Sequence, residues 1–380
     1  MPTIALAIGT RPDAIKLAPV AAELAGADSS VTVEIYSSGQ HRQMIRPVLE
    51  IFSLDPTVDL DVMEPGQQLS ALTGKLIDRA GAALAERRPD RLLVQGDSTT
   101  GAGFAWASFL NGIPVAHVEA GLRTYDVDAP WPEEVNRRII TLLADMHFAP
   151  TEEARSNLAQ EGVAEDRIWV TGNTVVDALR GATGALSRNG GPPSSVSEVG
   201  ARLDGRMVLV TGHRRENIGS PLEDVCGALR DVVAEHEDVD VVFSTHLNPS
   251  VKDIVYGAFD GVDRIHLIPP VDYLGFVWLM RRATLIVTDS GGIQEEAPSL
   301  GVPVVVTRRS TERPEGLKAG ASVLAGSGRE EMATSMSRLL SDREAYERMA
   351  QRRDVYGDGE AAARIVDALI SALPQSRGET

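Results

Sequence analysis

The sequence contains a single cysteine, Cys226, and therefore forms no internal disulfide. Disulfides are rare in reducing compartments, so this usage favours a cytoplasmic protein. No apolar run approaches the roughly 20 residues that a membrane-spanning helix requires. The segment 1–10 has no basic start and only a short apolar run, which predicts a first strand rather than a signal peptide. These absences favour a cytoplasmic protein that does not use a membrane as a partner.

Basic residues are also scarce, because 37 Lys and Arg face 54 Asp and Glu, for a formal net charge of −17 at pH 7. A surface of this sign repels nucleic acid and anionic membranes, so we expect neither as a partner. An anionic small ligand is still compatible with this charge where basic residues cluster locally. Such clusters occur at Arg11 and Lys16, at His213, Arg214 and Arg215, and at Arg308, Arg309 and Arg313.

Short aliphatic runs alternate with longer amphipathic stretches along almost the whole chain. Strands that alternate with helices predict βαβ units, right-handed crossovers and parallel sheets. A chain of 380 residues is too long for one ordinary core, so two domains are expected. The predicted strands are 4–8, 31–37, 91–95, 114–118, 145–149, 167–171, 207–211, 239–245, 264–268, 284–288 and 302–306, and the predicted helices include 12–26 and 68–88.

The segment 181–199 is low in apolar residues and rich in Gly, Pro and Ser, which predicts a linker between domains. We therefore expect a Rossmann-like domain over 1–180 and a nucleotide-binding Rossmann-like domain over 200–357. A terminal amphipathic helix, 358–374, is expected to pack back onto the first domain. Ligands bind at the carboxyl ends of the strands in open α/β sheets, so two doubly wound domains are expected to face a central cleft.

The stretch 288-TDSGGIQEEAPSLG-301 lies between two apolar runs. Ser290, Gly291 and Gly292 fall at a predicted strand-to-helix junction, where free backbone amides and the helix dipole attract an anion. Glu296 follows about one turn later and can accept hydrogen bonds from the two hydroxyls of a ribose. A capped turn whose glutamates complement the helix dipole is the alternative. The spacing is neither that of a P-loop nor that of a dinucleotide-binding fingerprint.

Charged side chains also follow three predicted strands. Arg11 and Lys16 follow the first strand and together suit a diphosphate, although two surface cations on a helix are the simpler explanation of this motif taken alone. Asp97 follows the strand 91–95, and a role as the N-cap of the next helix would be enough to explain it. Glu119 borders the buried strand 114–118, where a charge needs a partner or a function.

Two further motifs carry titratable groups. Glu133 and Glu134 follow two prolines at a predicted helix start, where at least one of them is expected only to complement the helix dipole. His213 follows the first strand of the second half and can bond or protonate a phosphate oxygen, or can be a core histidine satisfied by backbone. The sequence has no metal-ligand spacing and no GxGxxG motif after a strand, so we expect neither a metal nor a nicotinamide cofactor.

These motifs occur together in an order that resembles a known family. The segments are GTRPDAIKLAP, VQGD, HVEAGLRT, PWPEE-NRR, TGNTVVDAL, TGHRREN, HLNP, DSGGIQEEAPSLG and TERPEG. They resemble the non-hydrolysing UDP-N-acetylglucosamine 2-epimerases from about residue 3 to about residue 370. The resemblance implies a two-domain GT-B fold, usually a homodimer, and interconversion of UDP-N-acetylglucosamine and UDP-N-acetylmannosamine without a cofactor.

The resemblance also implies roles for single residues, motif by motif. Glu296 matches the ribose-binding carboxylate, and Phe276 matches a residue beside the uracil. Some family members bind a second UDP-N-acetylglucosamine as an activator, and certain of these carry a basic residue near the position of Gly66, which this sequence lacks. Positions near the diphosphate match Arg11, Lys16, His213, Ser290, Gly291, Gly292 and Arg313; the catalytic acids match Asp97, Glu119 and Glu133; and the activator site matches Gln40, Gln43 and Glu133.

The implied chemistry must remove a C2 proton that no neighbouring carbonyl acidifies. If UDP leaves first, the anomeric carbon becomes oxocarbenium-like, and a carboxylate can take the C2 proton to give a glycal. Reprotonation on the other face with return of UDP then inverts C2. We expect Asp97, Glu119 and Glu133 to move these protons and His213 to serve the leaving phosphate. The alternatives are a GT-B glycosyltransferase, a hydrolysing epimerase and a catalytically silent nucleotide-sugar sensor.

Overall fold

Two compact units make up the chain, Met1–Gly181 with Tyr356–Thr380, and Ala182–Val355. A computed structural model describes residues 1–26, 31–39, 42–64, 66–212, 219–245 and 248–373. Each unit contains one parallel sheet with helices between its strands. The predicted α/β class with two doubly wound, Rossmann-like sheets is therefore confirmed.

In the described part of the first unit, seven strands first alternate with seven helices. The strands are β1 (Thr3–Ile8), β2 (Thr32–Ser37), β3 (Val58–Asp59), β4 (Arg91–Gln95), β5 (Val115–Val118), β6 (Met146–Ala149) and β7 (Ile168–Val170). The helices are α1 (Arg11–Gly26), α2 (Arg42–Ile51), α3 (Leu69–Arg87), α4 (Thr99–Leu110), α5 (Glu133–Leu143), α6 (Glu152–Gln160) and α7 (Thr174–Asn189), the last of which runs across the boundary between the units.

The order of strands in this sheet is β3-β2-β1-β4-β5-β6-β7. All five residues of β4, and all but the first of β1, are buried, as expected for a parallel sheet covered on both faces. The strand order reverses between β1 and β4, which pair directly. The loops after these two strands therefore border the crevice in which doubly wound sheets bind ligands.

The second unit repeats this plan with the strand order β10-β9-β8-β11-β12-β13. Its strands are β8 (Arg206–Gly212), β9 (Val239–Thr245), β10 (Ile265–Ile268), β11 (Leu285–Thr288), β12 (Val304–Val306) and β13 (Ser322–Leu324). Its helices are α8 (Ser197–Gly200), α9 (Ser220–Glu235), α10 (Pro249–Ala258), α11 (Tyr273–Arg282), α12 (Gly291–Leu300), α13 (Pro314–Lys318), α14 (Arg329–Ser341) and α15 (Arg343–Met349). The reversal lies between β8 and β11.

A further helix, α16 (Ala361–Ala372), belongs to the first unit and packs against α1. Its apolar residues Ile365 and Leu369 are fully buried. Among the helices of the described ranges, none has both the length and the hydrophobicity to cross a membrane.

The structure departs from the predicted elements in three places. Strands β3 and β13 were not predicted, because they are only two and three residues long and neither contains more than two consecutive apolar residues. Residues 181–189, predicted as linker, instead continue helix α7. Gly181 packs under the ring of Phe52, and Ala182 and Leu186 are buried, so this helix is held by tertiary contacts despite its low apolar content.

Candidate active site

The loop after β1 is fixed by one buried carboxylate, that of Asp13. Its Oδ2 accepts hydrogen bonds from the backbone N–H groups of Gly9 (3.0 Å) and Thr10 (2.9 Å), and the N–H of Asp13 donates to Thr10 Oγ1 (3.4 Å). This reciprocal pattern is a capping box at the start of α1. Burial raises the pKa of Asp13 to about 6, although these hydrogen bonds oppose the rise.

The same carboxylate joins this loop to the loop after β4. Ser98 Oγ donates to Asp13 Oδ2 at 3.1 Å, and Ser98 also caps α4 by accepting from the N–H of Gly101 at 3.0 Å. A Cβ at Gly9 would lie 2.0 Å from Thr100 Oγ1, so only glycine allows the start of α4 to approach so closely. The two loops at the reversal of the sheet thus form one rigid edge.

Glu119 follows β5 and lies in a buried polar cluster with Lys16 and Gln95. The Lys16 ammonium forms an ion pair with Glu119 Oε2, and Gln95 Nε2 donates to the same oxygen at 2.7 Å. The side chains of Lys16 and Glu119 are 7% and 6% exposed. Glu119 adopts a φ of +64°, which a residue with a side chain takes only under constraint from its surroundings. The sequence predicted that Glu119 needs a partner or a function, and the structure gives it a partner, the ammonium of Lys16.

Asp97 lies at the end of β4 and is 32% exposed. Arg137 donates to its Oδ2 from both Nε (2.9 Å) and Nη2 (2.6 Å), and Asn136 Nδ2 donates to its backbone oxygen at 2.9 Å. The preceding carbonyl, that of Gly96, accepts from His117 Nε2 at 2.7 Å. Burial lowers the pKa of His117 to about 3, so its imidazole is neutral and carries its proton on Nε2.

The adjacent glutamates at the start of α5 differ sharply. Glu133 is half-buried, whereas the carboxylate of Glu134 is fully buried. Glu134 accepts hydrogen bonds from the backbone N–H groups of Thr124 (3.0 Å) and Tyr125 (3.2 Å). Burial alone would raise the pKa of Glu134, but the N–H of Thr124 and two arginines of α5 together lower it. Glu134 therefore does more than complement the helix dipole, since it ties the loop after Glu119 to α5.

In the second unit, Ser290 is the N-cap residue of α12, and its N–H donates to Thr288 Oγ1 at 2.9 Å. The two glycines that follow have different surroundings. A Cβ at Gly291 would lie 2.6 Å from Cζ of Arg313, whereas among the described residues no packing neighbour lies within 4 Å of a Cβ at Gly292. The helix end is therefore supported on the Gly291 side and open on the Gly292 side, which suits an approaching anion.

Arg313 lies against this helix end within a cluster of buried acids. Its Nε donates to Glu295 Oε1 at 2.9 Å, and its Nη1 donates to Glu312 Oε1 at 2.6 Å. Glu296, one residue further along α12, is buried and accepts from Tyr273 Oη at 2.8 Å. The Tyr273 hydroxyl thus fixes the orientation of the carboxylate predicted to bind ribose, while Phe276 is half-buried on the same helix α11.

The structure thus brings several predicted residues together within each unit. In the first unit, Arg11 opens α1, and Lys16 contacts Glu119; in the second, Ser290, Gly291 and Arg313 share one helix end. Two predicted residues, His213 and Gln40, lie outside the described residues, and Gln43 lies on α2 with its side chain not described.

Sequence reasoning missed Asp13, Gln95, Glu295 and Arg137 as part of the site. The pattern Thr10-x-x-Asp13 at the start of a predicted helix is a capping-box signature and could have identified Asp13. A lone glutamine at the end of an apolar strand, as at Gln95, carries no comparable signal, because its partner comes from a different strand.

Comparison with known proteins finds similarity to one family along nearly the whole chain. The family model of UDP-N-acetylglucosamine 2-epimerase matches residues 24–370. The chain is 46% identical over 366 residues to the UDP-N-acetylglucosamine 2-epimerase of Escherichia coli, covering 95% of this chain and 96% of that protein.

Solved structures give the same result. The UDP-GlcNAc 2-epimerase from Neisseria meningitidis bound to UDP-GlcNAc is 39% identical, with a TM-score of 0.90 over 98% of this chain and 100% of that one. The Methanocaldococcus jannaschii UDP-GlcNAc 2-epimerase in complex with UDP-GlcNAc and UDP is 30% identical, with a TM-score of 0.84 over 97% and 100%. The predicted fold class of the GT-B type is shared with these structures. The chain belongs to the UDP-N-acetylglucosamine 2-epimerase family.

Proposed function

We propose that this protein interconverts UDP-N-acetylglucosamine and UDP-N-acetylmannosamine by elimination of UDP, formation of a glycal and re-addition, without a cofactor. Family membership supports the overall reaction. The observation that carries the mechanism is the group of carboxylates at the carboxyl edge of the first sheet, where Asp97 is held by Arg137 and Glu119 by Lys16 and Gln95. A carboxylate fixed by several hydrogen bonds is what directional proton transfer at a carbon requires.

The nucleotide is proposed to bind at the start of α12. Backbone amides and the helix dipole at Ser290 and Gly292 suit the diphosphate, and Glu296 suits the ribose hydroxyls. Phe276 is proposed to lie beside the uracil. Arg313 is proposed to act beside the diphosphate while its guanidinium, bonded to Glu295, keeps the helix end in position. Relatives described with bound UDP-GlcNAc or UDP support the choice of ligand.

In the first step the bond between C1 and the diphosphate oxygen breaks, and its electron pair leaves with UDP. A carboxylate takes the C2 proton, and the pair of electrons from the C2–H bond forms the C1=C2 double bond of the glycal. In the second step a proton is delivered to the other face of C2, and UDP adds back to C1. Asp97, Glu119 and Glu133 are proposed to carry these protons, and His213 to serve the departing phosphate.

Lys16 gains a second role in this scheme. Its ammonium forms an ion pair with Glu119 in the structure, whereas family resemblance assigns it with Arg11 to the diphosphate. A diphosphate that attracts Lys16 would draw it away from Glu119, and would thereby make this carboxylate a stronger proton acceptor. Substrate binding and activation of the base would then be a single event.

Burial of Glu119 and Lys16 also favours the non-hydrolysing reaction. The two side chains are less than a tenth exposed. Water that reached C1 would trap the oxocarbenium-like carbon as free sugar, so a reaction that returns UDP must exclude it.

Proton NMR of UDP-N-acetylglucosamine with the purified protein in deuterated water tests the proposal. We expect deuterium at C2 together with UDP-N-acetylmannosamine signals. Glu119→Gln should lower turnover by about 10² to 10⁴ without weakening UDP binding. Glu86→Gln, at an exposed site in α3, is the matched control and should leave turnover unchanged.

Other spectra would contradict the proposal in distinct ways. Free N-acetylmannosamine plus UDP would indicate a hydrolysing epimerase. A product that forms only with an added acceptor would indicate a glycosyltransferase, and line broadening without exchange at C2 would indicate a sensor.

We also infer that the protein forms a homodimer, as the family resemblance implies, through the neighbouring helices α4 and α5. Trp106, Phe109 and Leu110 are 41%, 58% and 63% exposed and lie at i, i+3 and i+4 on α4. Val135 and Leu142 are 37% and 82% exposed and lie seven residues apart on α5. Exposed apolar side chains on one face of each of two contacting helices are typical of a protein interface.

A further inference from the structure

One arginine controls the direction of the Asp97 carboxylate. Arg137 donates to Asp97 Oδ2 from Nε at 2.9 Å and from Nη2 at 2.6 Å. Its side chain is 5% exposed, whereas the Asp97 side chain is 32% exposed. The arginine is thus the buried member of the pair, and the carboxylate is the member that a ligand can reach.

Arg137 is itself held by a fully buried carboxylate. Its Nη1 donates to Glu134 Oε2 at 3.1 Å, and Glu134 in turn accepts from the backbone N–H groups of Thr124 and Tyr125. Movement of the guanidinium would weaken the pairing of a buried charge, which is strongly unfavourable. The three donors Nε, Nη1 and Nη2 of one planar group thus connect two carboxylates, which a lysine ammonium cannot reproduce with the same geometry.

The backbone around Asp97 is fixed independently of Arg137. His117 Nε2 donates to the carbonyl of Gly96 at 2.7 Å, and Asn136 Nδ2 donates to the carbonyl of Asp97 at 2.9 Å. The N–H of Gly96 also donates to the carbonyl of Val118 at 2.9 Å. With the main chain held in this way, the remaining freedom of Asp97 is the rotation of its side chain, which is what Arg137 restricts.

We propose that Arg137, anchored by Glu134, is a positioning residue for the epimerase reaction, because it sets the direction in which the Asp97 carboxylate meets C2. The inference rests on the proposed function, in which Asp97 exchanges a proton with the sugar. Arg138 provides an internal contrast: it bonds the other oxygen of Glu134, Oε1, at 3.0 Å, and is 40% exposed.

The test is a double-mutant cycle in turnover with Arg137→Gln, Asp97→Asn and the double variant, alongside Arg138→Gln as the matched control. We expect Arg137→Gln to lower kcat by about 10- to 100-fold with KM changed less than about threefold, since positioning and proton transfer of one group contribute at most about 10² to 10⁴. In the Asp97→Asn background the same change should lower kcat by less than about threefold, because the effects of substitutions at residues that act through one another are not additive. Arg138→Gln should stay within about twofold of the parent.

Several results would overturn the inference. Equal losses from Arg137→Gln with and without Asp97 would show that the arginine acts elsewhere, and so would equal losses from Arg137→Gln and Arg138→Gln. If Arg137→Gln does not fold, Arg137→Lys serves in its place and should be partly impaired, so full activity of that variant would also refute the role. Wild-type turnover of Asp97→Asn would remove the catalytic assignment of Asp97 and this inference together, whereas a slow Asp97→Asn with additive Arg137→Gln would remove the inference alone.

Discussion

Lys16 and Glu119 place two opposite charges in the interior of the first unit. Their side chains are 7% and 6% exposed, so water screens them little. Such a pair adds little net stability over an apolar pair, but removal of one member leaves a buried charge with fewer partners. The energetic consequence of each substitution therefore depends on whether the other member is still present.

We predict that Lys16→Met and Glu119→Gln each destabilise the protein by about 3 to 5 kcal/mol, and that the double variant loses less than their sum. Urea denaturation of the four proteins measures this coupling. The exposed pair Arg46 and Glu50 is the matched control, with side chains 76% and 63% exposed, and should couple by about 0.5 kcal/mol or less. A coupling as small at Lys16 and Glu119 would contradict the buried ion pair.

The sequence predicts the acids of the site better than the residues that hold them. Glu119 stands out because a charge that borders a buried strand needs a partner or a function, whereas Asp97 is assigned through the family resemblance. Arg137 does not stand out, because an arginine on an amphipathic helix is ordinary until the fold brings its guanidinium to Asp97. Partners that come from distant parts of the chain are set by tertiary structure, and a single sequence does not encode them locally.

At the scale of secondary-structure elements, the start of α12 depends on two adjacent glycines with different neighbours. A Cβ at Gly291 would collide with the Arg313 guanidinium, whereas a Cβ at Gly292 would meet no packing neighbour within 4 Å in the part of the chain that the structure describes. The first glycine is required by packing inside the protein. The second is proposed to leave room for the ligand.

We predict opposite effects on stability for these two positions. Gly291→Ala should destabilise the protein by about 1 to 3 kcal/mol, because Arg313 or the helix end must move. Gly292→Ala should stabilise the unliganded protein by about 0.4 to 1 kcal/mol through lower entropy of the unfolded chain, yet weaken UDP binding. Thermal unfolding and calorimetric titration with UDP measure both quantities. A Gly291→Ala variant as stable as the parent would refute the packing argument.

The capping box of α1 predicts a pH dependence of stability. The pKa of Asp13 rises from its ordinary 3.8 to about 6 on folding, so between these values the folded protein binds more protons than the unfolded chain. The stabilisation from this group is therefore complete below about pH 4 and is lost as the pH rises through about 6. The loss is about 3 kcal/mol, because each pKa unit of difference between the folded and unfolded states corresponds to about 1.4 kcal/mol.

Asp13→Asn isolates this contribution, since the amide oxygen can accept the three hydrogen bonds that Oδ2 accepts. Relative to the parent, the variant should gain about 3 kcal/mol of unfolding free energy between pH 4 and pH 7. Urea denaturation across this range is the measurement. A difference that is constant with pH would contradict the raised pKa of Asp13.

Short apolar runs were sufficient to predict most strands, because central strands of a parallel sheet are buried on both faces. The starts and ends of β4 and β9 agree with the predicted 91–95 and 239–245, and those of β1 and β8 agree within one residue. β3 pairs with its neighbour at only two positions, so it exists because β2 provides an edge and not because its own sequence favours a strand. The helical residues 181–189 depend in the same way on contacts such as that of Gly181 with Phe52.

At the scale of the whole molecule, the proposed homodimer must join two chains that each carry a formal charge of −17. Long-range repulsion opposes this association, and the apolar side chains of α4 and α5 must outweigh it. Salt screens the repulsion without weakening apolar contacts. The dissociation constant of the dimer should therefore fall as ionic strength rises.

We predict that Phe109→Glu converts the dimer to a monomer at micromolar concentration, because it places a charge among apolar side chains at the interface. Tyr256→Glu is the matched control, since Tyr256 is 52% exposed on α10 in the other unit, and should leave the dimer intact. Sedimentation velocity at low and high salt measures both effects. A dimeric Phe109→Glu variant would exclude this face as the interface.

The packing of α16 against α1 has a consequence for biosynthesis. The two helices belong to one unit but lie more than 300 residues apart in the chain. At a synthesis rate of about 5 to 20 residues per second, roughly 15 to 70 s pass between synthesis of α1 and synthesis of α16. The apolar surface of α1 that contacts α16 is uncovered during this time. A nascent chain that stops before residue 361 would expose this surface to chaperones and proteases. We expect such incomplete chains to be degraded, so that they do not bind nucleotide sugar unproductively.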